Sequence, residues 1–170
     1  MLLPLIQNVP RMLSAQGVLH GTASAVVDLL ADGTFAKEFT PEISYDTDLI
    51  LEDASTIRVD VVPASLVQVP DSRVSLRYEV GVDVAVRYRF GTSDQETDGK
   101  VSVDKAGAYL ALLEELAEYL ADPDNRKPST KAMAVWSFND MRTPWVSEHL
   151  RNNRQYTGIF RANYIVAVDL

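Results

Sequence analysis

The sequence predicts an α+β domain, sandwich-like in build: one mixed, largely antiparallel sheet with a long central strand, packed by an amphipathic helix and shorter helices. Two period-2 runs and one broad helical stripe carry that expectation. From Val74 to Phe90 every even position is apolar (Val74, Leu76, Tyr78, Val80, Val82, Val84, Val86, Tyr88, Phe90), and the odd positions read Ser75, Arg77, Glu79, Gly81, Asp83, Ala85, Arg87 and Arg89. Strict alternation of β-branched and aromatic residues, with no proline inside, marks a strand buried on one face only. At ~3.3 Å per residue the run reaches on the order of 55 Å, longer than a compact domain of this size needs, so the excess is expected to serve something outside the monomer's own core. Ile159 to Leu170 alternates again, with Ile159, Ile165 and Ala167 blurring the polar side as in a strand covered partly on both faces. Between the two runs, Ala106, Tyr109, Leu110, Leu112, Leu113, Leu116, Ala117 and Leu120 form one helical face, capped by Asp104 and ended by Asp122-Pro123. Both strands in one sheet with this helix across it make the α+β reading.

The remaining elements follow in chain order. Ala23, Val26, Val27, Leu29 and Leu30 have helical spacing after His20-Gly21-Thr22 and close at Asp32-Gly33, a short helix with a C-terminal glycine. Phe35 to Tyr45 keeps Phe35, Lys37, Phe39, Ile43 and Tyr45 on odd positions and reads as an edge strand broken near Pro41. Asp46 to Ser55 reads as an acidic loop. Thr56 to Val62 alternates as a second strand that Pro63 is expected to stop, with a loop ending at Pro70-Asp71-Ser72. Gly91 to Lys100 is polar and acidic, with the composition of a mobile loop. Ala132 to Phe138 reads as a strand, and Thr143-Pro144 as the opening of a short helix through His149 and Leu150.

A length of 170 residues points to one domain, 1–170, with 1–20 as an N-terminal docking segment. MLLPLIQNVP is apolar but lacks a basic n-region and is interrupted by Pro4 and Pro10, so it is read as neither signal peptide nor membrane span. With no cysteine there is no thiolate metal site, disulfide or nucleophilic thiol. A net charge of −8 without a basic cluster disfavours nucleic acid as a tight ligand. Residues 1–60 carry nine acids against three bases, and residues 141–170 four arginines against two acids, so unlike parts of two subunits could meet.

No catalytic constellation emerges. His20 and His149 have no partner at ligand spacing. The acids Asp46, Asp48, Glu52 and Asp53 lack the glycine turn and twelfth-position Glu of a calcium loop. Glu114, Glu115 and Glu118 fall on the wet side of their helix rather than forming an acid–base pair. Asp83 is expected in a cross-strand or intersubunit ion pair. Trp136, Trp145 and Tyr156 offer a stacking platform for a base or sugar, which keeps a small-ligand or carbohydrate-binding module as the alternative reading.

Taken in order, a short helix, a strand with an acidic loop, TIRVDVVPAS, the strand SRVSLRYEVGVDVAVRYRF, an acidic amphipathic helix and EHLRNNRQYTGIFRANYIV resemble the tail-terminator or tail-completion (head–tail joining) proteins of long-tailed bacteriophages and prophages. The parallels lie in Val59-Asp60-Val61-Val62-Pro63, in Ser72-Arg73 opening the long strand, and in Arg151 and Arg154 before Tyr156-Thr157, where the family often has phenylalanine in place of Tyr156. The resemblance runs from about Thr22 onward and rests on a loose pattern. It implies a non-enzymatic structural virion protein without cofactor or metal. Such a protein closes into a homo-oligomeric ring, commonly a hexamer, at the head-proximal end of the tail. Its partners would be its own copies, the tail tube protein and head-completion or connector proteins, with DNA passing through the lumen without specific binding and no membrane involved. Synthesis would be in the bacterial host cytoplasm. A head-completion or tail-tube ring subunit is the neighbouring reading. In a head-to-tail ring, Arg87 and Arg89, expected to face solvent, are candidates for one side of the subunit interface, and Asp46, Asp48, Glu52 and Asp53 for the other.

Overall fold

The computed structural model describes residues 15–46, 50–52, 56–72, 75–91, 103–128 and 134–169. The elements run α1 (Ala15–Asp32), β1 (Pro41–Ile43), β2 (Ile57–Ser72), β3 (Ser75–Arg89), α2 (Val103–Ala121), β4 (Ala134–Thr143), α3 (Ser147–Asn153) and β5 (Gln155–Asp169). One five-stranded mixed sheet has the order β1-β2-β3-β5-β4, with β1 parallel to β2 and every other pair antiparallel. The fold is α+β, as expected.

β3 is central, and the reason is its even face. Val80, Val82, Val84 and Val86 are at most 1% exposed. Across the ladder they meet Val61 and Val59 of β2 and Phe160, Ala162 and Tyr164 of β5, so the three strands present one apolar sheet face. Leu112, Leu113, Leu116 and Leu120 of α2 and Val26 and Leu30 of α1 close over it. The two helices are joined where the Tyr119 hydroxyl donates to the Leu29 carbonyl at 3.0 Å. A ring cluster, Tyr88 stacked on Tyr109 at 4.4 Å with Phe90 edge-on to both, fills one end of the layer.

Several boundaries differ from the sequence reading, each for a physical reason. β2 does not stop at Pro63 but continues through Pro70 to Ser72, with register shifts between Pro63 and Ser65 and between Pro70 and Ser72. Here β2 bonds only to β3 among the described strands, because β1 covers just Val59–Val61, so each proline removes one donor from a strand with a single partner and the shift beside it absorbs the distortion. The Phe35–Tyr45 alternation yields a strand only at Pro41–Ile43. Phe35 instead stacks on Phe39 at 5.4 Å and meets Tyr119 edge-on at 5.0 Å, so aromatic packing accounts for the pattern. α1 extends back to Ala15, placing His20 inside the helix, and α2 begins one residue before Asp104. β4 runs on to Thr143, so Pro144 follows a strand and precedes α3, which begins at Ser147. α3 ends on Arg154 at φ 49°, ψ 39°, a left-handed turn whose N–H returns to the His149 carbonyl before β5 begins at Gln155.

The expected excess length of β3 is used inside the chain: its ladder with β5 is continuous from Ser75 to Arg89, and β2 pairs from Ser72 back to Ile57. Burial on one face also holds only toward its start, because Asp83, Ala85 and Arg87 on the odd side are buried as well. Residues 1–14 of the proposed docking segment and residues 92–100 of the polar loop lie outside the described residues.

Candidate docking face

The sheet face opposite α1 and α2 holds the odd positions of β3 and β5. Its cross-strand rows are legible from the register: Arg58–Arg87–Thr157, Asp60–Ala85–Ile159, Val62–Asp83–Arg161–Asp140, and Val67–Glu79–Ile165–Val135. Arginines Arg58, Arg77, Arg87, Arg89, Arg142 and Arg161 stand on this face against Asp60, Glu79, Asp83 and Asp140, and every one of those acids pairs with an arginine. Arg161 Nε donates to Asp83 at 2.7 Å, Arg77 to Glu79 at 3.2 Å and Arg58 to Asp60 at 3.0 Å; Arg142 pairs with Asp140 and Arg87 with Asp60. The hydrogen bond to Asp83 and the partly opposing desolvation leave the Arg161 guanidinium held above its ordinary pKa. Asp83 thus makes the cross-strand pair its position suggested. A shallow pocket of about 150 Å³ lies among Asp83, Asp140, Arg142, Thr143, Ile159 and Arg161.

At one end of the face a strap, described at residues 44–46 and 50–52, lies over the sheet. Arg87 donates to the Asp46 carbonyl at 3.1 Å, Arg89 to the carbonyls of Leu51 at 3.0 Å and Glu52 at 2.7 Å, and the Leu51 N–H donates to Gln155 Oε1 at 2.7 Å. Arg87 is therefore 0% exposed, which corrects the expectation that it faces solvent and overturns the reason for placing it at a subunit interface. Alternation tells which side of a sheet a residue is on, and a later chain segment can still cover that side. Arg89 is half-buried, and Asp46 and Glu52 are exposed with their carbonyls engaged within the chain. Asp48 and Asp53 lie outside the described residues. Arg87 and Arg89 thus bond the main chain at Asp46 and Glu52 within one subunit.

Toward the β2–β3 hairpin none of the described helices or loops covers the same face. Val135 is 41% exposed and Phe138 54%, beside the half-buried Ile165; Val67, 51% exposed, stands on the far side of the exposed Glu79 in the same row. This patch escaped the sequence reading because Val67 sits in a stretch assigned to a loop and Phe138 follows a register shift between Trp136 and Phe138 that turns it to this side. The alternation of Val67 and Val69 was the available signal.

The other sequence candidates resolve simply. His149 Nδ1 lies 2.7 Å from the Thr157 hydroxyl, which also accepts from Gln155 at 2.8 Å. Thr157 is fully buried, so this is a packing cluster under α3 rather than an activated nucleophile. Tyr156 is 1% exposed and donates to the Pro144 carbonyl at 2.6 Å, which removes it from any platform with Trp145. Arg126 lies over the half-buried Trp136. Glu114 and Glu118 are exposed, and Glu115 accepts from the Ala36 N–H at 3.1 Å. An open cleft of about 920 Å³ beside β1 sets Lys37 and Arg58 against Glu38 and Glu42 without a convergent group. Among the described residues no three His, Cys, Asp or Glu side chains gather as a metal site, and no helix is long and apolar enough to cross a membrane. Neither protein-family models nor curated proteins give a match to this chain.

Proposed function

We propose that this chain is a non-enzymatic structural virion protein, a ring subunit that terminates a bacteriophage tail tube and joins it to the head. The single observation that carries the reading is the part of this sheet face toward the β2–β3 hairpin, over which no described helix packs and which combines paired charges with exposed Val67, Val135 and Phe138. Large apolar side chains left exposed on one sheet face, interleaved with paired charges, suit a surface for another macromolecule. The order of sequence features described above supplies the phage-tail identity, and among the described residues no catalytic constellation accompanies it. The partners in this reading are further copies, six in the commonest arrangement, the tube protein below and head-completion proteins above. The acidic chain lets DNA pass its lumen without adhering.

Sedimentation of the purified protein with negative-stain microscopy tests it. Annuli of a defined multiple of the subunit mass are expected, as is loss of full-length tails when the gene is deleted from its phage. A protein that stays monomeric at every concentration, and whose deletion leaves tails normal, overturns the reading.

A further inference from the structure

The outer edge of β2 is filled only at its start. β1 pairs with Val59, Asp60 and Val61, and the Ser44 N–H on the Val61 carbonyl at 3.0 Å is the last bond made there among the described residues. Beyond Val61 the strand pairs with β3 alone among the described strands, so its other edge offers a row of main-chain donors and acceptors. Such edges are ordinarily guarded by charged side chains, and residues 61–70 carry none. Pro63 and Pro70 bracket the stretch, leaving residues 64–69 as its proline-free part. α1 brings the chain to this stretch. Its last residues, Leu30 and Ala31, line the same cleft as Ile57 and Arg58 at the start of β2. α1 packs on β1, β2 and β3, while α2 packs on β3, β5 and β4. Three strands span only about 10 Å, so a helix of 18 residues, ~27 Å long, that buries both Val18 and Leu30 on them runs along the strands. Ala15 lies ~22 Å before Leu30, or about seven strand residues past Ile57, level with Ala64.

We propose that residues 5–9 of the chain, Leu-Ile-Gln-Asn-Val, add to the open edge of β2 along residues 64–69 as a further strand antiparallel to it. The inference does not depend on the ring reading, and it gives the apolar N-terminal segment a seat. A row of open N–H and C=O groups at strand spacing is matched by an extended main chain, the chemistry of strand addition. Pro4 and Pro10 bracket residues 5–9 as Pro63 and Pro70 bracket residues 64–69, so the two proline-free runs fit one another in length. Neither run contains a charge, so no like charges meet across the new ladder. The link from Pro10 to Ser14 reaches up to about 17 Å, enough to step from the helix layer at Ala15 to the edge beside Ala64. A parallel strand would bring residue 9 to the level of Val69, and the return of about 17 Å along β2 would use the whole of that reach, so the antiparallel direction is selected. So short a tether holds the chain's own segment at the edge at a local concentration that a second copy does not match.

The chain has no cysteine, so a cross-linking pair can be placed in it without background. In the full chain, the exposed Val67 is changed to cysteine together with Gln7→Cys in one variant and with Asn8→Cys in another. Neighbouring residues of a strand point to opposite faces, so one of the two pairs is expected to close a disulfide within the chain and the other to stay open. Closure of that pair should be about tenfold or more faster than when the same N-terminal cysteine is combined with Ser137→Cys on the exposed edge strand β4. Closure of neither pair, equal closure of both, or closure no faster than with Ser137→Cys overturns the proposal. A disulfide between two chains, read as doubled mass on a non-reducing gel, overturns it as well. Where a cysteine variant melts below the parent, amide hydrogen exchange of the unsubstituted chain decides. Residues 5–9 and 64–69 should be protected together, and Gln7→Pro should abolish protection in both while the β3 amides keep theirs. Free exchange of residues 64–69 in the parent, or protection that survives Gln7→Pro, overturns the proposal. None of these outcomes depends on whether rings form.

Discussion

Arg87 and Asp60 form an ion pair in which both side chains are 0% exposed, and the contact is diagonal across the ladder: Arg87 lies opposite Arg58, and Asp60, two residues along β2, lies opposite Ala85. Arg58 reaches the same carboxylate from the surface at 3.0 Å, and the strap closes the site through the Asp46 carbonyl. An ion pair taken fully out of water is stable only while both partners remain, because the survivor is left as an uncompensated buried charge. Arg87→Ala is expected to lower stability by about 3–5 kcal/mol. Asp60→Leu/Arg87→Met should cost less than the sum of its single changes. Chemical denaturation checks both, and a single change costing less than about 1 kcal/mol would contradict the burial. Arg87→Glu would set two acids together in this site, so it tests folding and cannot report on assembly.

Arg161 offers the contrasting case on the same face. Its side chain is 39% exposed and its partner Asp83 12%, so solvent screens the pair and either group can be rehydrated when the other is removed. Arg161→Ala is expected to cost about 1 kcal/mol or less in the same assay. Equal losses for Arg161→Ala and Arg87→Ala would show that the strap does not seal its end of the sheet.

Val82 lies at the centre of β3, opposite Pro63 on one side and Ala162 on the other, at 0% exposure. Proline there removes a ladder donor and forces its ring into a strand paired on both sides, which is unlike the tolerated Pro63 and Pro70 of β2. Val82→Pro should cost about 3 kcal/mol or more and leave little soluble protein. An unchanged melting temperature would remove β3 from the centre of the sheet.

Alkaline stability follows from two buried phenols. Burial pushes Tyr164 well above the ordinary 10.0, and burial followed by the nearby Glu114 carboxylate does the same to Tyr156. An acid whose folded pKa is raised favours the folded state while it stays protonated. That stabilisation is complete below the unfolded value of 10.0 and is lost as pH climbs toward the folded one. Absorbance at the phenolate band, compared with Tyr156→Phe and Tyr164→Phe, should show both groups ionising only together with loss of circular dichroism. Ionisation of both near pH 10 with the fold intact would contradict their burial.

The sheet was legible where side chains alternate without interruption, as in Val80 to Val86 and Phe160 to Val166, because a period of two can be satisfied only by a strand. The stripe from Tyr109 to Leu120 was legible for the same reason at helical period. Pro63 misled because a proline's effect depends on how many partners its strand has, and that is a property of the sheet rather than of the segment. Arg87 misled because the segment that covers it lies 41 residues earlier in the chain. Phe138 was counted toward a regular strand, and only the register shift beside it turns the ring outward into the candidate docking patch. Local pattern fixes the faces of an element; which faces end covered is decided by segments distant in sequence.

Gly158 ties the candidate strap end to the core through a close approach. A Cβ there would collide with the Tyr156 hydroxyl and would come within 2.6 Å of the Pro144 carbonyl oxygen and 2.8 Å of Tyr156 Cζ. The Pro144 oxygen is the acceptor for that hydroxyl at 2.6 Å, and the same turn is pinned by Val146 N–H on the Thr157 carbonyl, so the backbone has little room to yield. Gly158→Ala is expected to cost about 1–3 kcal/mol through this overpacking. Tyr156→Phe alone should cost about 1 kcal/mol, the net worth of one buried hydrogen bond. Combined, they should cost less than their sum, since removing the hydroxyl opens part of the space that the methyl needs while the Pro144 oxygen and ring carbon stay close. A double-mutant cycle in denaturant measures the difference. Strict additivity would mean that the methyl is accommodated elsewhere, and that Pro144, and with it Trp145, is not held against β5 as described.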